Sequence, residues 1–240
     1  MQTLRSIIFT LLLFVSVLPW AIVCLCARVF GRAASYAVAL NWVHMILWLC
    51  RVLCGLNWSI SGQDNIPAQN CVVFLKHSSA YETIAQFMLL PRQSWVLKRE
   101  LIWAPFFGWA LATLQPIAIN RSAGRSAVDQ VIRQGKERLA DGHWIMIFPE
   151  GTRMKAGETR RYGISGTLLA QAAGVNILPV AHNAGDFWPR RGWRKKPGTV
   201  QFVIGPPVDP ADRDPREVNE ELQGWIEGQV AELRSTQPEN

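Results

Sequence analysis

Cys71-Val72-Val73-Phe74-Leu75-Lys76-His77-Ser78-Ser79-Ala80-Tyr81-Glu82 decides the fold of this chain. Its first five residues form an unbroken β-branched and apolar run. Such a run fits a strand covered on both faces, as in a parallel sheet, rather than a strand with one wet face. The polar residues that follow end the strand, and a helix is predicted over Ser79–Leu90. The same alternation repeats outward from this unit. Strands are predicted at Ser94–Lys98, Pro116–Asn120, Trp144–Phe148, Ile177–Ala181 and Thr199–Ile204. Helices are predicted at Ala123–Ala140, closed by Asp141-Gly142, at Ile164–Ala173, closed by Gly174, and at Pro215–Leu233. Strands alternating with helices imply an α/β fold, a mostly parallel central sheet flanked by helices.

The N-terminal fifth has another texture. Ser6–Ala27 is a run of 22 residues without a charge, long enough as a helix to cross a hydrocarbon layer of about 30 Å. Pro19 sits within it and is placed to kink it. A second run, Ala33–Cys50, carries no full charge and ends at Arg51. Residues 1–56 are therefore expected to be an N-terminal apolar helical membrane anchor, and residues 57–240 the domain built from the strands and helices above. The two runs fit a transmembrane hairpin, or one span followed by a helix lying in the interface. A cleaved signal peptide is the rival reading; the run is longer than such a segment needs, and no small-x-small cleavage site follows it. Arg5 and Arg51 on one side of a hairpin place that side in the cytoplasm, against the opposing pull of Arg28 and Arg32.

Charge is divided along the chain. Residues 1–208 hold 22 Lys and Arg against 9 Asp and Glu, whereas residues 209–240 hold 3 against 9. The body thus faces something anionic: lipid headgroups, nucleic acid or a phosphorylated substrate. The membrane-length apolar run disfavours nucleic acid, and 11 Trp residues suit the bilayer interface or a core. The five Cys lack the spacing of a zinc site and read as free thiols in a reducing compartment.

Two segments carry chemistry. His77, just past a buried strand, is placed to line a cleft, and imidazole both takes and gives a proton near neutrality. Glu82, five residues on, is able to orient it by holding one ring nitrogen. Ser79-x-x-Glu82 is also a capping box, which accounts for Glu82 without catalysis. The second segment is Phe148-Pro149-Glu150-Gly151-Thr152-Arg153. Gly151 permits a tight turn, Thr152 and main-chain N–H groups are able to donate to an oxyanion, and Arg153 is suited to bidentate phosphate binding. A charged surface turn is the plainer alternative. Gly163-Ile164-Ser165-Gly166 lacks the spacing of a serine nucleophile elbow. His143 and His182 read as structural or surface residues, and no metal set is visible.

These segments, with two more, resemble the glycerolipid acyltransferase family. His77–Glu82 is similar to its His-x4-Asp motif. Lys98–Arg121, containing Pro105-Phe106-Phe107-Gly108 and ending Ile117-Ala118-Ile119-Asn120-Arg121, is similar to its second block. Phe148–Arg153 is similar to its Glu-Gly-Thr-Arg turn, and Ile177-Leu178-Pro179-Val180 to its late strand. The resemblance covers residues 57–205. This chain departs from the family pattern at Glu82, where Asp is usual, at Gln115, where Gly is usual, and at Asn120, where Asp is common.

The resemblance implies direct transfer of a fatty acyl group from acyl-CoA or acyl carrier protein to the free hydroxyl of 1-acyl-sn-glycerol-3-phosphate (lysophosphatidic acid), giving phosphatidic acid in phospholipid biosynthesis. It implies His77 as base, Glu82 behind it, Glu150, Gly151 and Thr152 as the oxyanion turn, and Arg153, Arg121 and Lys98 as holders of the acceptor phosphate. No cofactor is implied beyond the thioester co-substrate, and the expected surroundings are membrane phospholipid at the cytoplasmic face of a bacterial inner membrane. Another lysolipid acceptor, or a non-catalytic lipid-binding relative, is the alternative.

Overall fold

The computed structural model describes residues 1–120 and 123–236. The elements follow in the order α1 (Gln2–Ala27), α2 (Arg32–Leu49), β1 (Leu56–Ser61), β2 (Val72–Leu75), α3 (Tyr81–Ala85), β3 (Gln93–Lys98), α4 (Phe107–Thr113), β4 (Ile117–Ile119), α5 (Arg125–Ala140), β5 (Trp144–Ile147), α6 (Ser165–Ala173), β6 (Ile177–His182), α7 (Ala184–Phe187), β7 (Gly198–Ile204) and α8 (Pro215–Ser235). The seven strands form one sheet in the order β1-β7-β6-β2-β5-β3-β4. Every neighbouring pair is parallel except β6 and β7. The expected α/β class and mostly parallel sheet are therefore present.

Strand β2 lies between β6 and β5, and all four of its residues are buried, which is why its sequence shows no polar alternation. One face of the sheet is covered by α5, α6 and α8. Helix α5 buries Ala127, Val131, Gly135 and Leu139, and α8 buries Val218, Leu222, Ile226, Val230 and Leu233. Those intervals of three and four residues put each set on one stripe of its helix. Asp214 caps α8 by accepting from Arg216 N at 2.7 Å, with Pro215 at the first helical position.

Two elements differ from expectation. The segment after His77 is a short helix, Tyr81–Ala85, continued by a 3-10 turn over Gln86–Met88, not one helix to Leu90. The buried Gln93 side chain donates to Gln86 O at 2.7 Å, taking a carbonyl that a longer helix would use, and Pro91 follows. Strand β1 is a further, unexpected edge strand; its alternating Leu56, Trp58 and Ile60 carry the period-two pattern of a half-covered strand, and only Leu56 is buried.

The N-terminal helices form a hairpin laid against the sheet domain. Ser35 Oγ donates to Cys24 O at 3.1 Å, and Trp42 Nε1 donates to Ser16 Oγ at 3.1 Å, tying α1 to α2. Helix α1 buries Ser6, Phe9, Ala21 and Cys24, and its two ends reach the body separately. Near the start, Gln2 Nε2 donates to Cys54 O at 2.9 Å and Lys195 O at 2.8 Å, and Lys195 N donates to Ser6 Oγ at 2.9 Å. Near the end, Cys24 Sγ lies 3.5 Å from Thr113 Oγ1 on α4. The opposite face of α1 exposes Leu4, Ile7, Leu11, Phe14, Val15, Leu18 and Val23. Leu101, Trp103, Phe106, Phe107 and Trp109 are exposed around the start of α4. An exposed apolar surface of this extent marks a membrane or protein contact.

Candidate active site

His77 follows the carboxyl end of β2, and the Glu150–Arg153 turn follows the neighbouring β5. Parallel sheets commonly gather ligand sites at these strand ends. The two loops are tied together: His77 N donates to Glu150 Oε2 at 2.9 Å, and Met154 N donates to His77 O at 2.8 Å. Gly151 makes the turn with φ +67°, a left-handed conformation in which a side chain is strained.

Glu82 Oε1 accepts from His77 Nδ1 at 2.9 Å, Ser78 N at 3.0 Å and Ser79 N at 2.8 Å. An oxygen already receiving two main-chain N–H groups is an acceptor, so Nδ1 carries the ring proton and Nε2 is left as the basic nitrogen. The capping role and the orienting role therefore coexist on one oxygen. Ser79 Oγ completes the cap by accepting from Tyr81 N at 3.0 Å. Burial alone would raise the pKa of Glu82, but the hydrogen bonds from His77 and from Ser79 N–H hold it below its ordinary value. The charged carboxylate is the form that stabilises an imidazolium. We expect Glu82→Gln to lower kcat by about 10² to 10³-fold, within the span of general acid–base contributions. Glu82→Asp should retain much of the rate. If Glu82→Gln changes only the melting temperature, the carboxylate is a cap and nothing more.

The rest of the His77 surround is a clamp. Its ring stacks on Phe148, with centroids 4.0 Å apart and an interplanar angle of 26°. The carbonyl before it, Lys76 O, lies 2.7 Å from His182 Nε2. His182 Nδ1 accepts from Ala184 N at 3.1 Å, so Nε2 bears the hydrogen and donates to that carbonyl. Burial lowers the pKa of His182, keeping it in the neutral form this arrangement needs. Lys76, 1% exposed, donates from Nζ to Glu150 Oε1 at 2.7 Å, Glu227 Oε1 at 2.7 Å and Glu158 O at 2.9 Å. Tyr162 OH donates to the same Glu227 oxygen at 3.1 Å. Glu150 is thus turned into the interior, where it anchors the His77 backbone instead of facing the cleft.

The side chain of His77 is 15% exposed, and it lines a cavity of about 660 Å³ together with Lys98 and Arg153. Away from those cations the walls are apolar: Phe87, Trp95 and Leu111 from the sheet domain, and Trp20, Ala21 and Val43 from the hairpin. Lys98, at the end of β3, pairs loosely with Glu100 at 3.9 Å, both side chains being partly exposed. Arg121 lies outside the described residues. Gly108 is fixed by close approach, since a Cβ there would lie 2.4 Å from the carbonyl oxygens of Leu101 and Ile102. This contact packs the start of α4 against the turn before it, and Leu101 and Phe107 from that segment line the cavity. Gln115 has φ +59°, which accounts for glycine being usual at its position; its carbonyl accepts from Ser94 Oγ at 2.9 Å and Arg138 Nε at 3.1 Å.

Of the residues singled out by sequence reading, the structure brings His77, Lys98 and Arg153 to one cavity with Glu82 behind the ring, and turns Glu150 inward. It missed the Lys76 network, Glu227 and the carbonyl-holding role of His182. A lysine ending an all-apolar strand was the one visible signal for Lys76. Glu227, 151 residues away on α8, offered none.

Comparison with known proteins gives the family and the fold. A model of the acyltransferase family matches residues 57–183. The 1-acyl-sn-glycerol-3-phosphate acyltransferase of Pseudomonas aeruginosa is 42% identical, over 98% of this chain and 94% of that protein. The protein of the same description from Borreliella burgdorferi is 31% identical over 61% of this chain and 58% of its own length. The crystal structure of the 1-acyl-sn-glycerophosphate acyltransferase of Thermotoga maritima superposes with a TM-score of 0.80 at 20% identity, covering 99% of this chain and 98% of that one. At that identity the likeness speaks for the fold.

Proposed function

Since the chain belongs to the acyltransferase family, we propose that it moves a fatty acyl group from acyl-CoA or acyl carrier protein to the free hydroxyl of 1-acyl-sn-glycerol-3-phosphate, making phosphatidic acid. The observation that carries this reading is His77, held by Glu82, lining a mostly apolar cavity that Lys98 and Arg153 also line. The acceptor's phosphate sits against the two cations, its hydroxyl against His77 Nε2, and the acyl chain in the apolar part. The similarity in name and sequence of the Pseudomonas aeruginosa protein supports this acceptor.

His77 Nε2 takes the hydroxyl proton as the oxygen attacks the thioester carbonyl. Glu82 stabilises the imidazolium that results. The tetrahedral intermediate collapses with cleavage of the C–S bond, and the leaving thiolate takes the proton back from the imidazolium. Donors at the Gly151–Thr152 turn hold the oxyanion in between. No covalent enzyme intermediate is needed, since proximity and a base suffice for a thioester.

Arg153→Ala should raise KM for the phosphate-bearing acceptor by about 10 to 100-fold, the worth of one charge-assisted contact, with a smaller change in kcat. An unchanged KM moves the phosphate elsewhere. The decisive assay uses membrane fractions with a panel of lysolipids and both thioester donors. Turnover of the lysophosphatidic acid should far exceed that of lysophosphatidylcholine. A preference for the zwitterionic lysolipid would overturn the acceptor assignment.

For location, we propose the cytoplasmic face of a bacterial inner membrane. The docked stripe of α1, engaged with the body from Gln2 to Cys24, supports a hairpin seated in one leaflet with its other face in lipid. Arg5 and Arg51 support a cytoplasmic orientation.

A further inference from the structure

A second cavity, of about 290 Å³, opens between the hairpin turn and the sheet domain, away from His77. Arg28 and Arg32 line it from the two ends of the α1–α2 link, and Arg138 lines it from the last turn of α5. Thr113, Gln115 and Pro116 contribute to its walls, with Ile102 on the side of the exposed aromatic segment. None of these residues has a part in the mechanism above.

The charges there are poorly compensated. Among the described residues Arg28 and Arg32 make no salt bridge. Arg138 spends its Nε on Gln115 O at 3.1 Å, and its outer nitrogen Nη1 is 4.0 Å from Glu137 and from Asp141, both half exposed. Two distant, solvated carboxylates do not neutralise three guanidinium groups. The excess is felt nearby: burial first, then Arg92, Arg138 and Arg32 lower the pKa of His143, with Asp141 opposing. Guanidinium groups converging on a cavity of this kind suit a phosphate, which they bind through paired N–H groups.

The surroundings say which phosphate. Val29 and Phe30, between Arg28 and Arg32, are each 86% exposed. They continue the exposed apolar face of α1, and Trp103, 63% exposed, stands next to Ile102. A basic pocket at the edge of a lipid-facing surface lies at headgroup depth. We propose that Arg28, Arg32 and Arg138 form a binding site for the phosphate of an anionic membrane phospholipid, separate from the acceptor site.

The test uses the full chain in neutral detergent and dihexanoyl-phosphatidylglycerol, which has no free phosphomonoester to compete at the acceptor site. Isothermal titration should give one bound equivalent for the native protein. Arg28→Gln/Arg32→Gln should bind at least 10-fold more weakly while melting at the native temperature, because neither side chain holds the fold together. Arg138→Gln should weaken binding too, with some loss of stability from the Gln115 carbonyl. Dihexanoyl-phosphatidylcholine should bind poorly, and a 10-fold excess of inorganic phosphate should fail to displace the lipid. Equal affinity in the native and double-variant proteins would overturn the site. Binding of inorganic phosphate alone, lost in the same variant, would overturn the lipid as its ligand.

Discussion

His77→Ala should lower acyl transfer by about 10³-fold, within the range a general base contributes, and leave the protein folded. The reason for the size of the loss is that the other groups in the site do not replace Nε2. Glu82 is buried and already committed to Ser78 N and Ser79 N, and Lys98 and Arg153 are cations that cannot accept a proton. The reason for retained folding lies in the same contacts. Those two main-chain donors stay on Glu82 when the ring is gone, and the backbone of residue 77 keeps its bonds to Glu150 and Met154. The lost packing on Phe148 is that of one stacked pair, about 0.5–1.5 kcal/mol. Rate and melting temperature should therefore separate in this variant. Native turnover by the purified variant would remove the imidazole from the mechanism.

Lys76→Met should have the largest effect on stability, about 3–5 kcal/mol, the range found when one partner of a buried ion pair is removed. In a chain of this length that is a fall in Tm of about 10 °C. Lys76 is the cation between Glu150 and Glu227. Without it two carboxylates face each other around a space with no positive charge, one fully buried and the other 22% exposed. Thr159 Oγ1 and His77 N still reach Glu150, and Tyr162 OH still reaches Glu227, but neutral donors offset only part of the cost. Adding Glu227→Gln to Lys76→Met should recover part of the loss, since it removes one of the stranded charges. Thermal unfolding in neutral detergent measures both. A change below about 1 kcal/mol for the single variant would mean that the network does not hold α8 to the sheet.

Lys76 and His77 are adjacent residues on opposite faces of the sheet. Lys76 points to the far side of the sheet and fixes the loop; His77 points to the cavity, where the proposed mechanism uses it as the base. This division follows from the side-chain alternation of an extended chain. It places a structural ion network directly behind the base, so the rigidity of His77 depends on α8 through Glu227 and Glu150.

Local features of the sequence determined the class of fold and singled out the His77–Glu82 pair, which the structure brings within hydrogen-bond distance. Strand β2 was legible because five apolar residues in a row have few other places to go in an α/β domain, and the α5 and α8 stripes because helical periodicity repeats within one element. His77 and Glu82 are five residues apart, so a single turn brings them together whatever the rest of the chain does. The tertiary structure alone decided whether Glu82 caps or orients; it does both, because three donors converge on one oxygen. It alone turned Glu150 inward, joined Lys76 to Glu227 across 151 residues, and set Arg138 beside a hairpin turn more than 100 residues earlier. Charges and hydrogen bonds act over a few ångströms of space, and sequence spacing reports such distances only within a turn or two of the chain.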